Sequence, residues 1–180
     1  MKINVLMVLL ILLNQDTSSN IIFDYKDSKT LKNWFILDDR VMGGLSRGNV
    51  KMSKTGNIIY YGDVTTENNG GFSSLRYQFK PKDVSAFNKI AIRVKGDGIP
   101  YQFRIKSDKR QRYSYVSNFE TTGDWETIII PFKKFIPQFR GNKVNAPNYK
   151  GEKMEEIAFL IGNKTNESFQ LNIASIMLIK

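Results

Sequence analysis

Residues 90–106 read IAIRVKGDGIPYQFRIK, and the spacing of the apolar side chains in this stretch decides the fold class. Apolar and polar residues alternate strictly in residues 90–95 and again in residues 101–106. A period of two is typical of a half-buried β-strand, because successive side chains point to opposite faces. The intervening Gly96-Asp97-Gly98 favours a tight turn, so the stretch predicts a β-hairpin.

The same spacing continues on both sides of this stretch. Residues 75–79 (LRYQF) also alternate, and Asn68-Asn69-Gly70-Gly71 before them can adopt the positive φ angles that turns require. No segment predicts an amphipathic helix longer than two turns, although residues 84–88 and 152–156 could each form one turn. About nine short strands of this kind predict an all-β fold, an antiparallel β-sandwich or jelly roll. The further strands are expected at residues 50–52, 58–61, 125–130, 157–161, 169–173 and 176–179.

The composition excludes much of enzyme chemistry. The 180-residue chain contains no histidine and no cysteine. Ser-His-Asp and Cys-His catalytic sites, the usual zinc and haem ligands, disulfides and iron–sulfur clusters are therefore excluded. An enzyme would have to rely on carboxylates, Lys, Tyr or a bound cofactor. We expect instead a binding module without catalytic residues, cofactor or metal.

The first 19 residues have the pattern of a secretory signal peptide. Lys2 precedes an apolar run at residues 3–13, and small residues follow at Thr17 and Ser19. The run is too short for a membrane-spanning helix, which needs about 20 residues. A buried core segment or an uncleaved anchor is the alternative. We expect cleavage after Ser19, export, and one domain over residues 20–180 without a transmembrane segment.

The chain is strongly basic, with 27 basic and 17 acidic residues and a formal net charge of +10. Such an excess either attracts an anionic partner or simply keeps the surface soluble. Residues 106–115 (KSDKRQRYSY) mix basic and aromatic side chains as single-strand nucleic-acid binders do. A solvated hairpin tip explains this segment as well, and export argues against nucleic acid as the partner.

Three of the predicted strands carry arginine in their outward phase. Alternation places Arg76, Arg93 and Arg104 on strand exteriors, where a guanidinium is well placed for bidentate recognition. If these strands are neighbours, the arginines form one basic patch. The alternative is that strand exteriors are polar by default and hold no ligand. The outward companions of the three arginines are Gln78, Lys95, Gln102 and Lys106.

Two sequence patterns suggest catalysis without meeting its requirements. Residues 44–48 (GLSRG) match the nucleophile elbow of α/β-hydrolases, but the chain has no histidine to activate Ser46. The adjacent Asp38 and Asp39 would point to opposite faces of a strand and could not flank one glycosidic bond. A carboxylate-based glycosidase is therefore allowed but unsupported.

Seven segments, in order and over essentially all of residues 21–180, carry a family resemblance. They are Trp34 with DDRVMGGLSRG (38–48), ENNGGFSSLR (67–76), RVKGDG (93–98), YQFRIKS (101–107), SYVSNFETTGDWETIIIPF (114–132), FRG (139–141) and IAFLIGNK (157–164). Together they resemble the complex I intermediate-associated protein 30 family. The resemblance implies a galactose-binding-domain-like jelly roll and a non-catalytic role, since mitochondrial members act as chaperones in assembling respiratory complex I.

The resemblance and the strand pattern together predict a monomeric binding domain. We expect a protein partner, which would need an exposed apolar patch. A glycan is the alternative, and it would need a groove with an exposed aromatic ring beside Arg and Asp side chains. Asp39 and Arg40 are expected to form a buried structural pair. The candidate ligand-binding residues are Asp38, Arg40, Asn69, Ser73, Arg76, Arg93 and Arg104.

Overall fold

The computed structural model describes residues 20–28 and 30–180, and the predicted signal peptide, residues 1–19, lies outside this part. The described chain is almost entirely antiparallel β-structure, which confirms the predicted fold class. None of its helices is long and apolar enough to cross a membrane. The strands are β1 (Ile21–Asp24), β2 (Trp34–Asp38), β3 (Arg47–Met52), β4 (Ile58–Val64), β5 (Ser73–Asp83), β6 (Lys89–Lys95), β7 (Tyr101–Lys106), β8 (Ser114–Phe119), β9 (Glu126–Pro131), β10 (Ile136–Phe139), β11 (Asn142–Lys143), β12 (Lys153–Ile161) and β13 (Glu167–Ile179). Short 3-10 turns lie at Asp39–Met42, Glu67–Asn69 and Phe132–Lys134.

The strands form two sheets that enclose one hydrophobic core. Sheet A has the order β3-β4-β13-β6-β9, and β1 also pairs with β13. Sheet B has the order β11-β10-β8-β7-β12-β5-β2. The long β13 can hold three partners because its first half pairs with β4 and its second half with β6 and β1.

One phase of each alternating strand fills the space between the sheets. Fully burying a Val, Leu, Ile, Phe or Met side chain stabilises a fold by about 1.5–3 kcal/mol. Phe103 of β7 packs edge-to-face on Phe159 of β12 and on Phe135, which ties the central strands of sheet B to the core. The inward residues of β6 and β7 are those that alternation predicts: Ile90, Ile92, Val94, Tyr101, Phe103 and Ile105.

The predicted hairpin around Gly96-Asp97-Gly98 is wrong. The strand before it, β6, lies in sheet A between β13 and β9, whereas β7 lies in sheet B between β8 and β12. The turn therefore carries the chain from one sheet to the other. Gly96 is required there because an added Cβ would lie 2.2 Å from the Thr121 hydroxyl oxygen. Turn residues indicate that the chain changes direction, but they do not specify which strand will pair.

Two other predicted elements differ from the structure. Residues 169–173 and 176–179 belong to one strand, β13, which continues through an irregular register between Ile173 and Ser175. Residues 153–156, predicted as part of a helical turn, are extended and open β12. Pairing with β5, and at Glu156 also with β7, overrides the local helical preference.

Residues 84–88, also predicted as a helical turn, form a single hydrogen-bonded turn without helix, in which the Phe87 amide donates to the Val84 carbonyl at 3.0 Å. The basic segment after β7 is the tip of a true hairpin, because β7 pairs antiparallel with β8.

Candidate functional site

A buried carboxylate organises the chain between β2 and β3. Asp39 is fully buried, and its Oδ1 accepts a hydrogen bond from the Ser46 amide at 3.1 Å. Its Oδ2 accepts hydrogen bonds from the Ser46 hydroxyl, the Gly71 amide and the Phe72 amide at 2.5, 2.6 and 3.2 Å. Burial alone would raise the pKa of Asp39, but these hydrogen bonds outweigh it and lower the pKa below its ordinary value.

Glycines allow the backbone to approach this carboxylate. An added Cβ on Gly44 would lie 2.3 Å from Asp39 Oδ1, and one on Gly70 would lie 2.7 Å from Oδ2. Gly43 ends the 3-10 turn in the left-handed conformation, with φ of 93°. Asp39 is thus a structural clamp as expected, but its partners are amides and Ser46. The predicted pairing with Arg40 is wrong, because Arg40 is exposed.

The turn held by Asp39 presents apolar side chains to solvent. Val41, Met42 and Leu45 are 70%, 45% and 49% exposed. We call these three residues the apolar knuckle. Gly44 within the turn and Ser46 after it are buried, so the knuckle stands on a closely packed base.

Asp38 and Ser73 face the interior of the sandwich. The Ser73 hydroxyl donates to Asp38 Oδ1 at 2.6 Å, and the Gly48 amide donates to Asp38 Oδ2 at 3.0 Å. Because Ser73 belongs to sheet B and Gly48 to sheet A, Asp38 links the two sheets. Both of its oxygens are engaged within the protein, which leaves Asp38 and Ser73 poorly placed to contact a ligand.

Two of the predicted arginines lie on the outer side of sheet B. Arg76 of β5 and Arg104 of β7 are both in register with Ala158 of β12, the strand between them. Phe35 of the edge strand β2 continues this row, in register with Arg76, and its ring is 38% exposed. We call the polar side chains around the row the basic face: Arg76, Gln78, Gln102, Arg104, Lys106 and Glu156.

The remaining predicted site residues lie elsewhere. Arg93 is on β6, in sheet A, where its guanidinium lies 5.9 Å from the centre of the Trp125 ring and donates to Thr127 Oγ1 at 3.5 Å. The three strand arginines therefore do not form one patch. Asn69 is exposed on the turn after β4 and has a positive φ of 59°.

Glu156 joins two members of the basic face. Its Oε1 accepts a hydrogen bond from Arg76 Nη1 at 3.2 Å, and its Oε2 accepts one from Gln78 Nε2 at 2.6 Å. The side chain is only 3% exposed. Sequence reasoning missed Glu156, although a signal was present: the inward phase of Ile157 and Phe159 assigns Glu156 to the outer face.

Arg104 is paired differently from Arg76. Its Nε and Nη2 donate to the neutral amide oxygen of Gln102 at 3.1 and 2.6 Å. Burial lowers the pKa of Arg104 to about 10, and the nearby positive charge of Arg76 acts in the same direction. Arg104 stays charged at neutral pH but forms no ion pair in residues 20–28 and 30–180. The ion pairs there are Arg76–Glu156, Arg110–Asp108 and Lys153–Glu155.

A cleft of about 560 Å³ adjoins the basic face at Gln102. Three of its lining side chains are amides, each of which can both donate and accept hydrogen bonds. In the described part of the chain, no three Asp or Glu side chains converge to hold a metal ion. The cleft is lined by Pro100, Tyr101, Gln102, Asn118, Phe119, Glu120 and Asn163.

Several known proteins resemble this chain in sequence. Mouse "Complex I intermediate-associated protein 30, mitochondrial" is 28% identical, over 86% of this chain and 54% of the relative. The Drosophila melanogaster protein of the same name is 24% identical, over 73% and 52%. The chain thus spans about half the length of these two relatives.

A likeness to a solved structure concerns the fold alone. A family 11 carbohydrate-binding module from Clostridium thermocellum, solved in complex with a β-1,3-1,4-mixed-linked tetrasaccharide, superposes with a TM-score of 0.63. The two sequences are 22% identical, and the match covers 89% of this chain and 94% of the carbohydrate-binding module.

The profile of the complex I intermediate-associated protein 30 family matches residues 23–173, from β1 into β13. The chain therefore belongs to the complex I intermediate-associated protein 30 family.

Proposed function

We propose that this chain is an exported, non-catalytic module of the assembly-factor type, which holds a protein partner through the apolar knuckle. The observation that carries this proposal is the exposure of Val41, Met42 and Leu45 on a turn fastened by four hydrogen bonds to Asp39. Apolar side chains that stand together at the surface mark interaction sites more often than scattered ones do.

The rigid base of the knuckle favours binding. Ordering an interface costs about 0.5–1.5 kcal/mol for each side chain that must be immobilised, and more when a loop must be ordered. Here the backbone of the turn is already held by Ser46, Gly71 and Phe72, so a partner would need to order only the three side-chain tips.

The family supplies the kind of partner. The mouse and fly relatives are named for association with an intermediate of complex I. A partly assembled protein exposes apolar surface that its final neighbours will later cover. We infer that the knuckle covers such a surface on a partner in the compartment to which this chain is exported.

Site-specific photo-crosslinking in the native host tests this proposal. A benzoylphenylalanine placed at Val41 should crosslink one defined protein, whereas the same group at Ile129 should not. Ile129 is a matched control because it is 54% exposed but lies on β9 at the edge of sheet A. The captured protein is then purified, and its affinity is measured by calorimetry against the unmodified chain and the V41S/L45S variant.

The V41S/L45S variant should bind the purified partner at least about tenfold more weakly, as expected when two exposed aliphatic side chains lose their buried contacts. Equal crosslinking from both positions, or unchanged affinity of the variant, would refute a role for the knuckle. A thermal melt of the variant checks that it remains folded.

Carbohydrate binding is a second candidate function. It is favoured by one observation: the basic face and the adjoining cleft combine two arginines, several amides and the exposed Phe35 ring. Planar polar side chains pair with sugar hydroxyls, and an aromatic ring stacks on the apolar face of a pyranose. Binding of the intact chain to a panel of immobilised glycans tests this function, and no binding to any of them would exclude it.

A further inference from the structure

We infer that the ligand of the basic face is an acidic oligosaccharide, whose carboxylate or sulfate groups are bound by Arg104 and Arg76. This inference rests on the second candidate function, carbohydrate binding, and concerns a surface distinct from the apolar knuckle. It adds the charge and the length of the ligand to that function.

The charges of the face call for an anion. Among the six residues of the basic face, Arg76, Arg104 and Lys106 are cationic and only Glu156 is acidic. Asp108 also lies near Lys106, so the unmatched charge is that of the two arginines. The Glu156 carboxylate is already engaged, because Arg76 and Gln78 each donate to one of its oxygens.

Arg104 is the focus of the unmatched charge. Its side chain is half-buried, and in the described chain its guanidinium contacts the neutral Gln102 amide in place of a carboxylate. Charged groups removed from water are normally paired, because a neutral hydrogen-bond partner compensates only part of the lost hydration. A carboxylate or sulfate of the ligand would supply the missing charge in a bidentate geometry that suits a guanidinium.

The arrangement favours a saccharide over an acidic peptide. Peptides commonly bind a sheet by pairing with a free edge. The strands that carry the arginines are interior, since β7 is flanked by β8 and β12, and β5 by β12 and β2; of the strands in the row, only β2, at its Phe35 end, is an edge strand. The face instead offers side chains only, including amides that both donate and accept, as hydroxyl-rich ligands require. The amide-lined cleft at Gln102 extends the same chemistry beyond the sheet.

The spacing of the row sets the length of the ligand. Phe35, Arg76, Ala158 and Arg104 lie on four successive strands, β2, β5, β12 and β7. Neighbouring strands are about 4.8 Å apart, so the row spans roughly 14 Å. A ligand that contacts both Phe35 and Arg104 must therefore be an oligosaccharide, since one sugar ring is too short.

Calorimetry with four probes on the 180-residue chain tests the inference. The probes are a tetramer of galacturonic acid, a heparin-derived tetrasaccharide, a neutral β-1,3-1,4-linked tetrasaccharide and poly-L-glutamate. We expect at least one of the two acidic saccharides to bind. Comparison of their affinities shows whether the site prefers a carboxylate or a sulfate. Their affinity should fall as NaCl rises, because salt screens the charge interaction.

Substitutions then place the site. Arg104→Met should weaken binding of the acidic saccharide on the order of 10- to 100-fold, the usual effect of losing hydrogen bonds to a charged group. Arg104→Lys keeps the charge but loses the planar guanidinium, so its affinity for the acidic saccharide should lie between those of the wild type and Arg104→Met. Arg93→Met, an outward strand arginine on the opposite sheet, should leave the affinity unchanged.

The possible failures are distinguishable. Equal or tighter binding of the neutral tetrasaccharide would refute the acidic ligand while leaving carbohydrate binding standing. Binding of poly-L-glutamate alone would refute the saccharide and identify an acidic peptide as the ligand. Binding of none of the probes would refute the acidic oligosaccharide, and the glycan panel then decides separately whether carbohydrate binding stands. Equal losses of affinity for the acidic saccharide in Arg104→Met and Arg93→Met would mean that the saccharide does not bind specifically at the basic face.

Discussion

The Asp39 carboxylate accepts a hydrogen bond from the Gly71 amide at 2.6 Å, although 32 residues separate them along the chain. This contact joins the turn after β2 to the turn before β5. The first of these turns carries the apolar knuckle. The stability of the knuckle therefore depends on a side chain that is itself hidden from any partner.

Replacing Asp39 by Asn tests this dependence. The amide group of Asn would turn an NH₂ donor toward the Ser46 or the Gly71 and Phe72 amides, which are donors themselves. At pH 7 we expect Asp39→Asn to lower the free energy of unfolding by about 3 kcal/mol, because charge-assisted hydrogen bonds are lost and donors are left unpaired. Urea denaturation measures the change, and a loss below 0.5 kcal/mol, about the effect of a surface substitution, would contradict the clamp.

The same carboxylate predicts how stability depends on pH. Hydrogen bonding holds the pKa of Asp39 below its ordinary value of 3.8 in the folded state. Its contribution is therefore fully present above that value and is lost as the pH falls through the folded-state pKa. The difference in unfolding free energy between the wild type and Asp39→Asn should narrow as the pH drops from 5 toward 2. A constant difference over this range would show that the pKa of Asp39 is not depressed.

Gly44 and Gly98 form a matched pair of glycine substitutions. An added Cβ on Gly44 would collide with Asp39 Oδ1 at 2.3 Å, whereas one on Gly98 meets nothing within 4 Å but has a φ of +85°. We expect Gly98→Ala to cost about 1 kcal/mol from backbone strain and Gly44→Ala to cost about 2–3 kcal/mol from overpacking. Thermal unfolding of both variants measures which substitution is more destabilising. Equal losses of stability would mean that the turn around Gly44 can shift to accept the added Cβ.

The two arginines of the basic face should differ in their contribution to stability. Arg76→Met leaves the buried Glu156 with one hydrogen bond, from Gln78, and should lower the free energy of unfolding by about 3 kcal/mol. Arg104→Met removes a half-buried cation that has no acidic partner in the described chain, and should leave stability unchanged or raise it by about 1 kcal/mol.

A double variant provides the control for this pair. Arg76→Met combined with Glu156→Gln removes the stranded charge and should recover part of the loss caused by Arg76→Met alone. Chemical denaturation at pH 7 measures all three variants. A strongly destabilising Arg104→Met would mean that the Arg104 guanidinium is compensated within the protein.

Serine substitutions in the apolar knuckle should affect solution behaviour more than stability. Because Val41, Met42 and Leu45 are exposed, each change to Ser should alter the free energy of unfolding by less than about 0.5 kcal/mol. Retention on a hydrophobic-interaction column should nevertheless fall for the triple variant. As a buried control, Ile92→Ala should lower the free energy of unfolding by about 3 kcal/mol. Unchanged retention would mean that the knuckle is not the main apolar surface.

Local alternation predicted the strands that lie at the centre of sheet A and on either side of β12, whereas it missed β1, β2, β8, β10 and β11 and could not predict strand partners. The alternation in β6 and β7 predicted both strands and their buried side chains, because the facing of a side chain depends only on local backbone geometry. The Gly96-Asp97-Gly98 turn between them suggested pairing, but it connects two different sheets. Backbone hydrogen bonds between strands are the same for nearly every residue type, so a turn motif carries little information about the partner.

The candidate site shows the same division. Alternation put Arg76, Arg93 and Arg104 on strand exteriors, and that is where they lie. That Arg76 and Arg104 share one face follows from the insertion of β12 between β5 and β7. The same insertion brings Glu156 against Arg76, 80 residues away in the chain.

By itself, the order of residues determined an all-β chain, its inward and outward phases, its glycine-dependent turns and the absence of imidazole and thiol chemistry. Only the tertiary structure decided which arginine has a carboxylate beside it, which acidic side chain is a clamp, and which apolar side chains stay outside. The reason is physical: phase and turn conformation arise from neighbouring residues, whereas charge pairing and exposure depend on strands brought together from distant parts of the chain.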